Sequence, residues 1–211
     1  MPIIAIVGNK GGAGKTTLSI NIACAQALHT SVALVDADPQ GSSLQWRAFS
    51  PREDAIPVYE AGKDMAQQLG RLQSEYDHVF IDCPPSVHAP QTNAVLKLSD
   101  VVVVPVQPSP MDLWATTHIE QALVQARRDN PAVRAILVIN QMELRTTLSR
   151  LVREALTQID LPVAEVAIRR RAIYRYCILE GKSVFEMGHL GVEACREMKQ
   201  LTEEIMSHAK Q

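Results

Sequence analysis

Short, uninterrupted apolar runs alternate along the chain with longer segments in which apolar residues recur every three or four positions. The runs lie at 3–7, 32–36, 78–82, 101–105 and 135–140. Continuous hydrophobicity is typical of strands that are covered on both faces, as in parallel sheets. The segments between them predict helices at 15–29, 63–75, 91–98, 110–128, 146–158 and 191–208. The pattern therefore predicts an α/β fold, with a doubly wound and mostly parallel sheet flanked by helices.

Composition narrows the class of protein without naming a function. A chain of 211 residues with 46% hydrophobic and 21% charged residues is expected to form one globular domain over 1–211. Its net charge of −2 gives no bulk attraction for nucleic acid, so any such binding needs a local patch. Four widely spaced cysteines predict free thiols in a reducing cytoplasm. The N-terminus lacks a basic region and a long apolar run, so we expect no signal peptide.

The segment after the first predicted strand, VGNKGGAGKTT, has the composition of a phosphate-binding loop. Glycines let backbone N–H groups surround an anion, and the start of the following helix adds the positive end of its dipole. Lys15 is expected to reach the β- and γ-phosphates, while the Thr16 hydroxyl binds Mg²⁺. A strict G-x-x-x-x-G-K-[ST] motif fails at its first position, which is Asn9. The expected nucleotide contacts are Gly11, Gly12, Ala13, Gly14, Lys15, Thr16 and Thr17.

NKGGAGKTT resembles the variant phosphate loop, K-G-G-x-G-K-T-T, of the ParA/MinD family of P-loop ATPases, the deviant Walker A group. The resemblance covers residues 3 to about 205 and implies that ATP and Mg²⁺ are the ligands. It also implies a catalytic role for both Lys10 and Lys15, in which Lys10 reaches the phosphates of a partner subunit. Such a cation would offset the repulsion between two facing triphosphates, so we expect an ATP-dependent homodimer. The alternative is that Lys10 is a solvated loop charge.

Three aspartates follow two of the predicted strands. Asp36 and Asp38 lie in DADPQ, and because they are two residues apart in an extended chain they project from one face. Asp82 ends the run HVFID. The resemblance implies that Asp38 positions the attacking water, while Asp36 and Asp82 join Thr16 around the metal ion. For Asp36 or Asp38 taken singly, the alternative is a carboxylate that caps the following turn.

Two further nucleotide contacts come from the resemblance. Asn140, which ends the fifth apolar run, has an amide donor and acceptor that suit the edge of an adenine. Met111 lies in PVQPSPMDLW, a segment that resembles the one flanking the nucleotide and the dimer face in short ParA-type proteins. An ordinary residue at a helix start is the alternative for Met111.

An arginine-rich segment follows the ATPase motifs. AIRRRAIYRYCILEGKSV resembles the family's I-P-R-N…G-K-P segment but carries arginine at 169 and 171, where proline and asparagine are usual. Arginines on both this segment and the preceding helix would bind DNA phosphates without reading sequence. Solvated or ion-paired arginines are the alternative. The expected DNA contacts are Arg145, Arg150, Arg169, Arg170, Arg171 and Arg175, with Arg153 beside them.

The function that the resemblance implies is slow, partner-stimulated ATP hydrolysis that positions a cargo on nucleoid DNA. The expected cargo is a plasmid or chromosome, with a carboxysome or chemosensory cluster as the alternative, and a cargo-bound adaptor protein stimulates hydrolysis. The phosphate loop starts so early that we expect no preceding helix-turn-helix domain. The last helix has an apolar stripe that is expected to pack on the core: Val192, Cys195, Met198, Leu201 and Ile205. A MinD-like membrane anchor is the alternative, but it needs a basic polar face, and this helix carries Glu193, Glu197, Glu203 and Glu204 instead. A further alternative is a reductase that holds an iron–sulfur cluster between two subunits. It would need a second cysteine ligand besides Cys83, and the sequence offers no evident one.

Overall fold

A computed structural model of the protein describes residues 1–143, 147–156 and 159–210. The strands are β1 (Ile3–Ile6), β2 (Val32–Asp36), β3 (Val58–Glu60), β4 (His78–Asp82), β5 (Val101–Val106) and β6 (Arg134–Ile139). The α-helices are α1 (Lys15–Gln26), α2 (Ser42–Phe49), α3 (Met65–Glu75), α4 (Pro90–Leu98), α5 (Pro110–Asp129), α6 (Thr147–Leu156), α7 (Ala172–Leu179) and α8 (Val192–Lys210).

The strands form one sheet in the order β3-β2-β4-β1-β5-β6, and every neighbouring pair is parallel. Strand register fixes where the functional loops begin. Ile6 is opposite Asp82 in the pairing of β1 with β4, and Asp36 is opposite Asp82 in the pairing of β2 with β4. The phosphate loop and both strand-end aspartates therefore meet at the same edge of the sheet.

Apolar side chains cover both faces of the sheet, which explains the continuous hydrophobic runs. One face packs on helices α3 to α6 through residues such as Leu72, Leu96 and Leu123. The other face packs on helices that include α1 and α8, through residues such as Ile20 and Leu201. This second layer places the start of α1 and the arginine-rich segment on the same side of the sheet.

The predicted α/β fold with its parallel sheet is confirmed, and the predicted strands match five of the observed ones. The pattern missed β3, whose three residues are only partly buried or exposed, and also the short helices α2 and α7. The apolar stripe of the last helix is confirmed at Met198, Leu201 and Ile205. It is wrong at Val192, which is 58% exposed; the buried Ala194 packs there instead. Among the residues that the structure describes, no helix is long and apolar enough to cross a membrane.

Candidate nucleotide-binding site

The phosphate loop connects the end of β1 to the start of α1 and depends on glycine at two positions. Gly12 and Gly14 have φ angles of 79° and 88°, in the region that favours glycine. A Cβ atom on Gly14 would lie 2.4 Å from the side-chain Nδ2 of Asn140. Gly14 is thus required both for its backbone conformation and for the close approach of a neighbouring side chain. Helix α1 begins directly after it, at Lys15.

Three side-chain amides from neighbouring strand ends hold the loop from outside. Asn140 donates to the Ala13 carbonyl at 2.7 Å. Gln107 and Gln141 both donate to the Gly12 carbonyl, at 2.7 and 3.0 Å. Gln141 has a φ of 56°, so its non-glycine backbone is strained where it reaches the loop. Sequence reasoning missed both glutamines, although Gln141 directly follows one apolar run and Gln107 lies two residues after another.

Lys15 is buried at the centre of the site, with 7% of its surface exposed. Its ammonium donates to the Lys10 carbonyl at 3.2 Å. Burial lowers the pKa of Lys15, and the nearby carboxylates of Asp82 and Asp38 partly oppose that effect. The lysine that is expected to bind phosphates is therefore held within the loop and close to the predicted metal-binding side chains.

The predicted metal-binding residues lie together beside Lys15. Asp82 accepts hydrogen bonds from the hydroxyls of Thr16, Ser19 and Ser43, the last two at 3.2 and 2.8 Å. Burial raises the pKa of the Asp82 carboxyl to about 6, against the effect of those hydrogen bonds. Hydroxyl and carboxylate oxygens are ligands that Mg²⁺ prefers, and a nucleotide-bound Mg²⁺ takes its remaining ligands from phosphates and water. The side chains present fit that ion.

Asp36 is engaged with the start of α2. Its carboxylate accepts from the backbone N–H groups of Ser43 at 2.8 Å, Leu44 at 3.0 Å and Asp38 at 3.1 Å. Burial raises the pKa of Asp36, and the three backbone donors oppose the shift. The capping alternative describes this arrangement of Asp36, which connects α2 to the site. Asp38 is partly exposed beside it, and its side chain accepts from the Gln40 N–H at 3.0 Å.

Lys10 pairs with a carboxylate of its own chain. Its ammonium lies 2.9 Å from Asp112 Oδ2, and the Asp112 side chain is 4% exposed while that of Lys10 is 44% exposed. The hydroxyl of Ser109, the residue before α5, also donates to that oxygen. Neither sequence-based alternative for Lys10 included this ion pair, which joins residues 102 positions apart. Met111, beside Asp112, is 67% exposed and does not line the cavity described next.

A cavity of about 100 Å³ lies beside the phosphate loop. Gly14, Thr17 and Asn140 line one side, and Ile168–Arg171 with Tyr174 form the other, which we call the base-side wall. One N–H of the Asn140 side-chain amide donates to the Ala13 carbonyl, so Asn140 connects the cavity to the phosphate loop. The cavity therefore lies next to the loop that is expected to bind the phosphates of a nucleotide.

The predicted DNA-binding arginines are mostly ion-paired. Arg169 and Arg171 contact Glu197, at 3.6 and 2.7 Å, and Arg170 lies 2.7 Å from Glu143. Arg150 lies 3.9 Å from Glu154. Arg175 is exposed and has no ion pair within the described ranges. Arg145 lies outside the described residues, and the Arg153 side chain is also not described.

All four cysteines lie within the described ranges and are free thiols, as predicted. Cys83 follows Asp82 directly, is fully buried, and has a pKa raised by that burial. It is therefore a packed thiol next to the site.

A glycine-rich loop before a helix, a buried lysine and two strand-end aspartates in register define a P-loop nucleotide-binding protein. Residues 4–184 match the family model described as the CobQ/CobB/MinD/ParA nucleotide binding domain. The chain therefore belongs to this family, and the resemblance to ParA/MinD ATPases is confirmed.

Relatives and solved structures agree with that assignment. The chain is 39% identical over 206 residues to maintenance of carboxysome distribution protein A of Halothiobacillus neapolitanus, covering 96% of this chain and 95% of that protein. Apo McdA of Cyanothece shares the fold with a TM-score of 0.78 at 16% identity, over 98% of this chain and 99% of that one. Cobyrinic acid a,c-diamide synthase of Mycobacterium smegmatis, solved with an ATP analog and magnesium, has a TM-score of 0.79 at 20% identity, over 99% and 95%.

Proposed function

We propose that this protein is a ParA-type ATPase that positions a cargo in the cell. The observation that carries the proposal is the second lysine of the phosphate loop, Lys10, at the rim of a site whose own phosphate-binding lysine is Lys15. One triphosphate needs a single such lysine, so Lys10 would leave its ion pair with Asp112 to reach a partner subunit's nucleotide. The Lys10 side chain is 44% exposed and flexible, which favours its movement from Asp112 to the phosphates of the partner's nucleotide.

The residues around Lys15 divide the work of hydrolysis among themselves. The glycine-rich loop and Lys15 bind the phosphates of ATP, and Thr16 with Asp82 holds Mg²⁺, which supplies positive charge to the phosphates when bound. Asp38 is partly exposed at the same edge and orients the attacking water. Asp36 connects this edge to α2 through three backbone hydrogen bonds, so that α2 responds to the bound nucleotide.

The identity to the Halothiobacillus protein favours a protein compartment as cargo, since it extends over nearly the full length of both chains. This reverses the order of the two cargoes expected from sequence. Chromosome partition is the second candidate, supported by 32% identity over 186 residues to the chromosome-partitioning ATPase Soj of Thermus thermophilus. In both cases the ATP-bound homodimer binds non-specific DNA in the cytoplasm, and a cargo-bound adaptor stimulates a slow hydrolysis.

The experiment measures the molar mass in solution by light scattering under three conditions. These are the wild-type protein with ADP, the wild-type protein with ATP, and the Asp38→Ala variant with ATP. We expect monomers with ADP and a lasting dimer in the variant, because ATP persists when water is not positioned. Phosphate release measured with and without DNA tests the turnover. A monomer under all three conditions would contradict the proposal. So would wild-type turnover by Asp38→Ala.

Cargo is tested separately in the source cells, by deleting the gene and imaging. Clustered or unevenly spaced protein compartments would support the first candidate. Loss of plasmid or chromosome copies with normal compartments would support the second candidate.

A further inference from the structure

A single carboxylate on the last helix holds the base-side wall in place. Glu197, with 8% of its surface exposed, accepts from Arg171 Nη2 at 2.7 Å and from Arg171 Nε at 3.2 and 3.3 Å. Its other donors are the Tyr174 hydroxyl at 3.0 Å and the Arg169 backbone N–H at 3.4 Å. Three residues of the wall are thus fixed by one side chain that does not itself line the cavity.

Burying a carboxylate costs free energy unless it is paired and hydrogen-bonded. The burial of Glu197 therefore depends on these donors, and the positions of the donors depend on Glu197. Arg171 supplies two guanidinium nitrogens to the same group, the geometry that gives the strongest ion pairs. Burial raises the pKa of Tyr174, so its hydroxyl remains a neutral donor, and that hydroxyl also lies 3.3 Å from the Ala194 carbonyl. Removing the charge of Glu197 would weaken the support of the wall at all three residues together.

The extended segment leading to the wall is fixed along both of its edges. On one edge, the backbone of Met142, three residues after β6, donates to the Ile168 carbonyl at 2.9 Å and accepts from the Arg170 N–H at 3.0 Å. On the other edge, Glu204 accepts from the N–H groups of Glu165 and Val166, at 2.8 and 3.3 Å. Glu197 and Glu204 are seven residues apart on α8, so they lie on one side of that helix. Helix α8 therefore aligns the segment against the sheet.

We propose that Glu197 is a positioning residue that sets the shape of the base-binding part of the site. It acts through Arg169, Arg171 and Tyr174, and it contacts no part of the nucleotide itself. The proposal rests on the proposed function, since it requires that the cavity hold the base of ATP. It also separates the two halves of the ligand: Glu197 governs contacts to the base, and the glycine-rich loop governs contacts to the phosphates.

The test compares two probes on the full chain, ATP and inorganic tripolyphosphate, each with Mg²⁺. Glu197→Gln should weaken ATP roughly tenfold, because a charge-assisted anchor of the wall is lost. Tripolyphosphate, which has no base, should bind within about twofold of its wild-type affinity. In steady-state hydrolysis the same variant should raise KM with little change in kcat, since the loss is in ground-state binding.

Glu193→Gln is the matched control. Glu193 lies one turn earlier on α8, its side chain is 53% exposed, and it is 3.9 Å from Arg171. It should leave the affinities for both probes unchanged. Tyr174→Phe removes one donor and keeps the ring, so it should give a smaller loss confined to ATP; it also keeps the proposal testable if Glu197→Gln folds poorly.

Equal losses for both probes would overturn the proposal, since they would show a general disturbance of the domain. Unchanged ATP affinity in folded Glu197→Gln and Tyr174→Phe would overturn it as well. A wild-type protein that binds neither probe would instead contradict the proposed function, so the two failures are distinguishable.

Discussion

The phosphate loop, 7–17, and the arginine-rich segment, 167–184, face the same cavity. They differ in how far apart in sequence the interacting residues lie. The loop is defined by neighbours in sequence, because its glycines and Lys15 lie within a few residues of one another. The arginine-rich segment is defined by distant partners, since Glu197 is 26 residues beyond Arg171 and Glu143 is 27 residues before Arg170. Spacing therefore identifies the loop, whereas the role of an arginine depends on which carboxylate lies opposite it.

A run of like charge does not by itself make a binding surface. Three adjacent arginines suggest a surface for phosphates when read alone. In the folded chain two of them are held by a buried carboxylate and the third by Glu143. The arginine of this segment that is exposed and unpaired within the described ranges is Arg175. Changes in the loop should accordingly cost much more than changes in the segment.

The largest effect is expected for Gly14→Ala. The added Cβ would meet Asn140 at 2.4 Å, on a backbone with a φ of 88°, so the loop must distort. ATP affinity, measured by calorimetry, should fall roughly 100-fold. Gly70→Ala in α3, outside the phosphate loop, is the control, because an added Cβ there has open space around it. If both variants bind ATP equally well, the loop is less constrained than its geometry indicates.

Lys10→Ala should be next in size and should affect assembly rather than binding. Loss of a charge at the contact with a partner's phosphates should weaken ATP-dependent dimerisation roughly thirtyfold. ATP affinity should stay within about threefold, since Lys15 remains. Sedimentation over a range of concentrations measures the first and calorimetry the second. The exposed Lys63 provides a control for removing a lysine elsewhere. An undiminished dimer would exclude the role of Lys10 in trans.

Asp82→Asn should stabilise the nucleotide-free protein in a pH-dependent way. The pKa of Asp82 is raised from 3.8 to about 6, so the folded state retains a proton that the unfolded state has lost. The contribution of this retained proton to the free energy of unfolding is complete below pH 3.8 and is lost as the pH rises through about 6. At pH 7.5 the variant should therefore have a higher free energy of unfolding than the wild type, and the difference should shrink towards pH 4.

Denaturant titrations in EDTA at several pH values measure this gain. Asp77→Asn supplies a control of opposite sign, because hydrogen bonds from Ser31 lower the pKa of Asp77. Its stabilising contribution is present above the unfolded pKa, so that variant should lose stability at neutral pH. A difference between Asp82→Asn and wild type that does not vary with pH would refute the burial effect.

The smallest expected effect is on DNA binding. Arg175→Gln should weaken binding of the ATP-bound dimer to all sequences by about threefold and should reduce its salt dependence. Arg170→Gln, which removes a paired guanidinium, should change binding less. Fluorescence anisotropy at several salt concentrations compares the two. Equal losses would mean that an arginine paired with a carboxylate contributes as much to DNA binding as an unpaired one.

Much of the fold could be predicted because its strands are buried on both faces and therefore have continuous apolar runs. The edge strand Val58–Glu60 has no such run, since its residues are at best partly buried. Helix α2 was missed because only Ser43 and Trp46 are buried along it, too few to give a helical pattern. Element prediction thus succeeded where burial was complete and failed where it was partial.

For the site, strand ends and loop spacing are enough to predict that Lys15, Thr16 and Asp82 lie together. The partners of these residues could not be predicted in the same way. Gln107 bonds a carbonyl 95 positions away, and Asp112 pairs across 102 positions. Such contacts follow from the order of strands in the sheet, which periodicity does not specify. For the same reason, the sequence places Glu197 only on the polar face of its helix.

The ion pair between Lys10 and Asp112 has a consequence for the ionic-strength dependence of assembly. A lysine that is already neutralised within its own chain exchanges one anion for another when it reaches a partner's phosphates. Little net charge is then newly paired, so added salt should screen both sides of the exchange to a similar extent. The proposed assembly would thereby depend on the supply of ATP and only weakly on ionic strength.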